Sequence, residues 1–211
     1  MVALAQPGNG RGRRGAGAIV ALALLAFVGA GHARAADFER LDVSEDSDTY
    51  RIQASLLVDA PPKAVVEALL DFEGQNAIAP PIVDIRVVGA TPDGGKLVRI
   101  VSEICIGPFC KNVKQIQVVR LASPGAISAR VIPGAGDLAA GTTAIEVSAD
   151  RGRARVRMDC TIRPVRRRPS LMPRGWVLNA IRRQARESAA GLEALALKIA
   201  ARTGSPRGAE R

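Results

Sequence analysis

Every second residue between positions 50 and 58 is apolar, and this period of two predicts a β-strand with one buried face. The spacing then changes to that of a helix. Asp59 stands where a capping side chain is expected, and Pro61-Pro62 fall in the first turn, a position that prolines favour. Gly74 ends this helix, and the next pair of prolines breaks the chain again.

The middle of the chain consists of period-two runs separated by short turns, and it predicts six more strands. The clearest run is the last one, in which Ala154, Val156 and Met158 alternate with charged side chains. Such alternation is typical of an antiparallel sheet with one face on the core and the other in water. The six predicted strands cover residues 82–88, 96–106, 109–121, 126–132, 142–149 and 153–163.

A long amphipathic helix is predicted from about residue 176 to residue 201, because Val177, Ile181, Leu192 and Ile199 fall on one stripe. Together the elements predict an α+β fold. A curved antiparallel sheet of about seven strands would wrap around this C-terminal helix, with two short helices after the first strand. Because the sheet is curved, we expect a space between it and the helix.

Three stretches carry a resemblance to a known family. They are VDAPPKAVVEALLDFE at 58–73, PPIVDI at 80–85 and PRGW at 173–176, where the last leads into an Arg-rich helix. The sequence resembles the START-like, helix-grip superfamily (SRPBCC; polyketide cyclase/dehydrase and lipid-transfer type), especially its secreted bacterial branch. The resemblance covers roughly residues 50–197. It implies a helix-grip domain that binds apolar small molecules or, in some members, acts as a cyclase or dehydratase.

The first 35 residues have the features of a secretory signal peptide. Three arginines precede an uncharged apolar run at 16–30, and Ala-Arg-Ala at 33–35 supplies the small residues that a signal peptidase reads. The alternative is a retained membrane anchor, but this run spans roughly 22 Å as a helix, less than the bilayer core of about 30 Å. We predict cleavage after Ala35 and a periplasmic or secreted protein.

Four segments follow from these patterns. Residues 1–35 form the signal peptide, and residues 36–49, which are rich in acids, are predicted to be a solvated, poorly ordered acidic N-terminal segment. The START-like helix-grip domain covers residues 50–202. A disordered tail of Gly, Ser, Pro and charged residues covers 203–211.

The chain contains one histidine, His32, and it lies within the predicted signal peptide. The mature protein would therefore have no imidazole for Ser-His-Asp or Cys-His catalysis, or for a histidine zinc site. The remaining candidates for acid–base chemistry, Asp71, Glu73, Glu103 and Glu146, are scattered along the sequence. We expect no catalytic residue, no metal and no cofactor.

Cys105 and Cys110 flank a turn sequence between two predicted strands. In an oxidising compartment this placement predicts a structural disulfide, which stabilises the fold by about 2 kcal/mol. A redox pair is the alternative reading, although the spacing differs from the C-x-x-C motif of oxidoreductases. Cys160 lies on the inward face of its strand and is predicted to be a free core thiol.

Charge is distributed unevenly along the sequence. Residues 151–186 contain 12 arginines and one acid, a net charge of +11, whereas residues 37–75 contain 10 acids and three bases, a net charge of −7. We expect an electrically two-sided protein, with no nucleic-acid partner because no aromatic side chains interleave with the arginines. Either the arginines form a solvated face partly neutralised by the acidic segment, or they contact anionic phospholipid headgroups. The candidate membrane-contact residues are Arg166, Arg167, Arg168, Arg174, Arg182 and Arg183.

These observations support two hypotheses about function. The first is a binding or carrier protein for an apolar small molecule (a lipid, a quinone or a sterol-like compound) held between the C-terminal helix and the sheet. The alternative is a cyclase or dehydratase of the same superfamily that uses a pocket carboxylate. The sequence does not specify the oligomeric state. The predicted ligand-pocket residues are Ile52, Leu56, Ile100, Ile127, Ile145, Val156, Met158, Trp176 and Ile181.

Overall fold

The computed structural model of this 211-residue protein describes residues 37–79, 81–106, 109–166 and 172–204. The predicted signal peptide and residues 205–211 of the predicted tail lie outside the described residues. Over the described ranges the chain forms eight strands and three helices. In chain order these are β1 (Asp37–Asp46), β2 (Thr49–Val58), α1 (Pro62–Leu70), α2 (Gln75–Ile78), β3 (Ile82–Ala90), β4 (Lys96–Ile106), β5 (Phe109–Ser123), β6 (Ala126–Val131), β7 (Leu138–Asp150), β8 (Arg153–Pro164) and α3 (Arg174–Arg202).

The eight strands form one antiparallel sheet in the order β1-β2-β8-β7-β6-β5-β4-β3. Strands that follow each other in the chain are neighbours, except β2 and β3, which helices α1 and α2 separate. β1 and β3 are therefore the two edges. The predicted α+β helix-grip architecture, with two short helices and a long C-terminal one, is confirmed, and the sheet has one strand more than expected.

The additional strand is β1, and it corrects the prediction that the acidic segment is irregular. β1 pairs with β2, and Val43 lies opposite Ile52. Val43 is buried and Leu41 is partly buried, whereas Asp42 between them is exposed. Alternate apolar residues therefore do reach the core, although the acids between them give this segment the composition of a solvated one.

Helix α1 begins at Pro62, with Pro61 as its N-cap residue and no side-chain hydrogen bond at the cap. The predicted capping role of Asp59 is therefore wrong. The two prolines set the start of this helix, because their fixed backbone angle suits the first turn and they have no N–H group to satisfy. Val65 and Ala68, on the inner side of α1, are completely buried.

Helix α3 is held against the rest of the fold mainly by its C-terminal half. Ala189, Leu192 and Ala196 are buried there and pack in one core cluster with residues of α1, β2 and β8. In the first two turns Val177 is the only buried residue. In the described part of the chain no helix is both long enough and apolar enough to cross a membrane.

Candidate functional site: the concave face of the sheet

The strand register places most of the predicted ligand residues on one face of the sheet, because residues directly opposite each other in antiparallel strands share a face. Helices α1 and α3 pack on this face, which is therefore the concave one. The pairs that define it across β2, β8, β7 and β6 are Ile52 with Cys160, Ala54 with Met158, Leu56 with Val156, Met158 with Ile145, and Ile145 with Ile127.

Two further predicted ligand residues join this face through packing. Ile100 of β4 belongs to the same core cluster as Ile127. Ile181 of α3 packs against the cluster that contains Ile52 and Cys160. Eight of the nine predicted ligand-pocket residues therefore contribute to one apolar surface on the concave side of the sheet.

Part of this surface is only partly buried. Ile145 and Met158 lie on the central strands β7 and β8, yet both are only half-buried, and so is Ile181 on the helix opposite. Their neighbours Val156 and Ile127 are buried. Some apolar surface therefore stays accessible on the concave side of the central strands and on the first half of α3.

Trp176 is the exception among the nine, and the structure corrects its predicted place in the pocket. Its side chain is 52% exposed in the first turn of α3. Helix α3 begins two residues earlier than predicted, at Arg174, and Val177 is the residue of this turn that faces inward. The stripe of apolar residues along α3 therefore begins with Val177, and Trp176 lies on the surface.

The three cysteines lie where the sequence predicts. Cys105 and Cys110 form a disulfide across the hairpin that joins β4 and β5. Cys160 is a free, buried thiol on the concave face of β8. The Thr143 hydroxyl donates a hydrogen bond to its Sγ atom at 3.3 Å. Burial nevertheless raises the pKa of the Cys160 thiol above its ordinary value.

The expectation of an electrically two-sided protein is wrong for the sheet. Acidic β1 and arginine-rich β8 are separated by β2 alone, and their side chains meet on the convex face. Arg155 donates to Glu39 at 2.8 Å and to Asp150 at 3.0 Å. Arginine and acid therefore partly neutralise each other here, as the solvated-face reading expects.

Four of the six candidate membrane-contact arginines lie in the described residues, and these four fall into two groups. Arg167 and Arg168 lie outside the described residues. Two others bind the edge strand β1: Arg174 lies 3.2 Å from the Glu45 carboxylate, and Arg182 donates to the Val43 carbonyl at 3.2 Å.

The other two arginines of this set extend into solvent. Arg166 is exposed after β8, and Arg183 is exposed on α3 with Glu187 at 4.0 Å as its nearest partner. These two remain available to an external anion, whereas the pair on β1 fixes the start of α3 to the sheet.

The sequence matches one known protein family. A family model described as polyketide cyclase / dehydrase and lipid transport matches residues 49–200. The chain belongs to this family. A comparison with curated protein sequences finds no match.

Solved structures of this architecture share the fold at low sequence identity. A START superfamily protein from Mycobacterium smegmatis is 15% identical, with a TM-score of 0.56 over 71% of this chain and 98% of that chain. The Zhui aromatase/cyclase from a Streptomyces species is 18% identical, with a TM-score of 0.53 over 76% and 99% of the two chains. Human STARD10 is 11% identical, with a TM-score of 0.54 over 79% and 76%.

A cyclase or dehydratase within this family would need an acid or base in the groove, and the four carboxylates predicted from the sequence lie elsewhere. Asp71 is the C-cap residue of α1, where its carboxylate accepts a hydrogen bond from the Gly74 amide at 3.0 Å. Glu73, Glu103 and Glu146 are exposed. Asp71 thus serves the loop after the helix.

Sequence reasoning missed two polar features of the concave side. Glu193 of α3 is 6% exposed, although its place in an otherwise mixed helix gave no signal of burial. Gln115 and Gln117 of β5 lie on the concave face, because Gln117 is opposite the fully buried Val98. This strand has apolar residues on both faces, so its alternation did not reveal which side points inward.

The convex face carries two shallow clefts, of about 350 Å3 and 280 Å3. Arg40, Gln53 and Arg157 line the larger one, and Arg120 and Arg130 line the other. Both are open to solvent on the arginine–acid surface, and apolar atoms form much of their lining, with Ala54 and Met158 contributing to the larger one. Charged side chains, among them Arg157 and Asp159 at the larger cleft, distinguish these clefts from the apolar concave face.

Proposed function

We propose that this protein is a carrier that binds one apolar small molecule, such as a lipid, a quinone or a sterol-like compound, in the groove between α3 and the sheet. The observation that carries the proposal is the half-burial of Ile145, Met158 and Ile181 at the centre of the fold. Apolar surface left open in a central groove is favourable to cover, at about 25 cal/mol per Å2. Binding sites of this kind are concave and lined mostly by apolar side chains.

The alternative, a cyclase or dehydratase, depends on a carboxylate that reaches the groove. Glu193 is buried, but Ala189 and Ala196 on the same helix stripe pack in the cluster with α1. Glu193 also lies about 18 Å along the helix axis from Ile181. We therefore favour binding over catalysis.

The groove is tested by filling it. Met158→Trp adds a ring at the centre of the concave face, and we expect at least tenfold weaker binding of N-phenyl-1-naphthylamine, a dye whose fluorescence rises in apolar sites. The matched control is Arg157→Trp, on the same strand but exposed on the convex face. Equal dye binding by both variants and the parent, at equal thermal stability, would place the apolar site elsewhere.

We infer further that the carrier works after export, in the periplasm or outside the cell, and that it docks on an anionic membrane. Val165 and Trp176 are 58% and 52% exposed at the junction of β8 and α3. Trp176 and Arg183 are seven residues apart on α3 and so lie on the same helix face. Exposed tryptophan beside arginine suits the interface between headgroups and acyl chains.

Charge complementarity selects an anionic bilayer as the partner of this patch. Arg166 and Arg183 extend into solvent, where phosphate can reach them, whereas Arg174 already pairs with Glu45. We expect co-sedimentation with phosphatidylglycerol-containing vesicles that weakens at high salt and in Trp176→Ala and Arg183→Gln. Arg130→Gln, an exposed arginine of β6, is the control. Binding that ignores lipid charge and salt would exclude this docking.

A further inference from the structure

Two glutamine side chains interrupt the apolar concave face on the side of the groove formed by β4, β5 and β6. Gln115 and Gln117 are two residues apart on β5 and therefore point to the same face. Gln115 lies opposite Ile100, and Gln117 lies opposite Val98 on one side and Val131 on the other. The residues paired with both glutamines on this face are therefore apolar.

Both glutamine side chains stay partly exposed, although the residues paired with them are buried. Val98 is 0% exposed and Val131 is 7% exposed, yet Gln117 between them is only half-buried, as is Gln115. Within the described residues, no side-chain hydrogen bond joins either amide to the protein. On the concave side these two amides are therefore accessible, with side-chain hydrogen-bonding capacity unused.

The charged groups on this face are already occupied. Lys96, at the start of β4, lies over the Phe72 ring with its Nζ atom 5.3 Å from the centroid. Lys111, on β5 opposite Ile104, pairs with Asp137 at 3.3 Å. Two neutral amides, each with donor and acceptor groups, are left to meet the polar part of a ligand.

We propose that Gln115 and Gln117 form a polar subsite in the groove, which selects an amphipathic ligand with an uncharged oxygen group, a hydroxyl or a carbonyl, at one end. The proposal rests on the proposed function, because it assigns the ligand's polar end within the same groove. A hydrocarbon placed there would leave both amides without partners, and a charged group would lose its water without gaining an opposite charge.

The test compares two probes of nearly equal size, 1-pyrenebutanol and 1-butylpyrene, by fluorescence titration. Gln115→Met and Gln117→Met keep the side-chain length and remove the amide. We expect each variant to weaken 1-pyrenebutanol binding about fivefold, the effect of one hydrogen bond, and to leave 1-butylpyrene binding unchanged or tighter. Gln53→Met, exposed on the convex face, is the matched control and should alter neither affinity.

The outcomes separate this inference from the function on which it rests. If both probes bind the parent and the variants change both affinities equally, or neither, the polar subsite is wrong while the groove stands. If neither probe binds the parent, the proposed carrier function fails first. Gln115→Asn and Gln117→Asn, which keep the amide but shorten its reach, should give intermediate losses for the alcohol alone.

Discussion

The Cys160 thiol lies between β7 and the first half of α3, close to the groove. Burial raises its pKa, so little thiolate forms near pH 8, and the surrounding side chains exclude reagents. We expect iodoacetamide to label the folded protein far more slowly than the unfolded one at pH 8. Peptide mapping would locate the label. Labelling at the same rate in both states would contradict a buried thiol.

The ionised Asp93 carboxylate stabilises the turn between β3 and β4, and we expect this stabilisation to depend on pH. Hydrogen bonds from Arg120, and then from Thr91, lower the pKa of Asp93 to about 2. Its stabilising effect is therefore present above the unfolded pKa of about 3.9 and is lost as the pH falls towards about 2.

Carboxyl NMR titration of Asp93 checks this account of the turn. We predict a midpoint near 2 in the parent and a rise towards the ordinary value in Arg120→Gln. Arg130→Gln, on the neighbouring strand β6, should leave the midpoint unchanged. A parent midpoint near 4 would show that the ion pair does not form in solution.

Residue-level inference succeeded where the local pattern was clear. A turn between two strands was enough to pair Cys105 with Cys110, and clean alternation placed Met158 on the concave face. It failed for Trp176, because one residue at the start of a helix can face either way. It also missed Gln115 and Gln117, because the sides of β5 are fixed by pairing with β4 rather than by the strand's own pattern.

At the level of elements, β1 depends on α3 as well as on β2. β1 is an edge strand, and Arg182 of α3 donates a hydrogen bond to the Val43 carbonyl. Such contacts cover part of an edge that would otherwise be open to other strands. The composition of the acidic segment gave no sign of this partner, because the partner lies 139 residues away in the chain.

Removing this contact should loosen β1 locally. We predict about fivefold faster hydrogen exchange of the β1 amides in Arg182→Gln, the effect of losing about 1 kcal/mol. The control is Arg183→Gln, its exposed neighbour, which has Glu187 of the same helix as its ion-pair partner. Equal exchange in the two variants would mean that the Arg182 contact does not help to hold the edge strand.

At the scale of the whole molecule, the order of strands and helices sufficed to predict the helix-grip architecture, since short turns force neighbouring strands to pair. The proposed groove could not be predicted in detail. Its depth depends on how far α3 stands from β7 and β8, and that distance is set by the packing of Ala189, Leu192 and Ala196 against α1.

Export is a further prediction at this scale. We expect protein recovered from the cells that make it to begin at residue 36, because a signal peptidase would cut after Ala35. N-terminal sequencing or intact mass would detect the loss of 35 residues. Replacing Ala33 and Ala35 by leucine should block the cut, and an intact N-terminus in the parent would contradict export by this route.

The central claim is that the groove between α3 and the sheet holds one apolar molecule. Native mass spectrometry of protein purified without detergent tests it most directly, with the Met158→Trp variant alongside. The account predicts one extra mass on the parent, extractable by organic solvent and absent from the variant. A parent that shows only its chain mass, and that also fails to bind N-phenyl-1-naphthylamine, would contradict the claim.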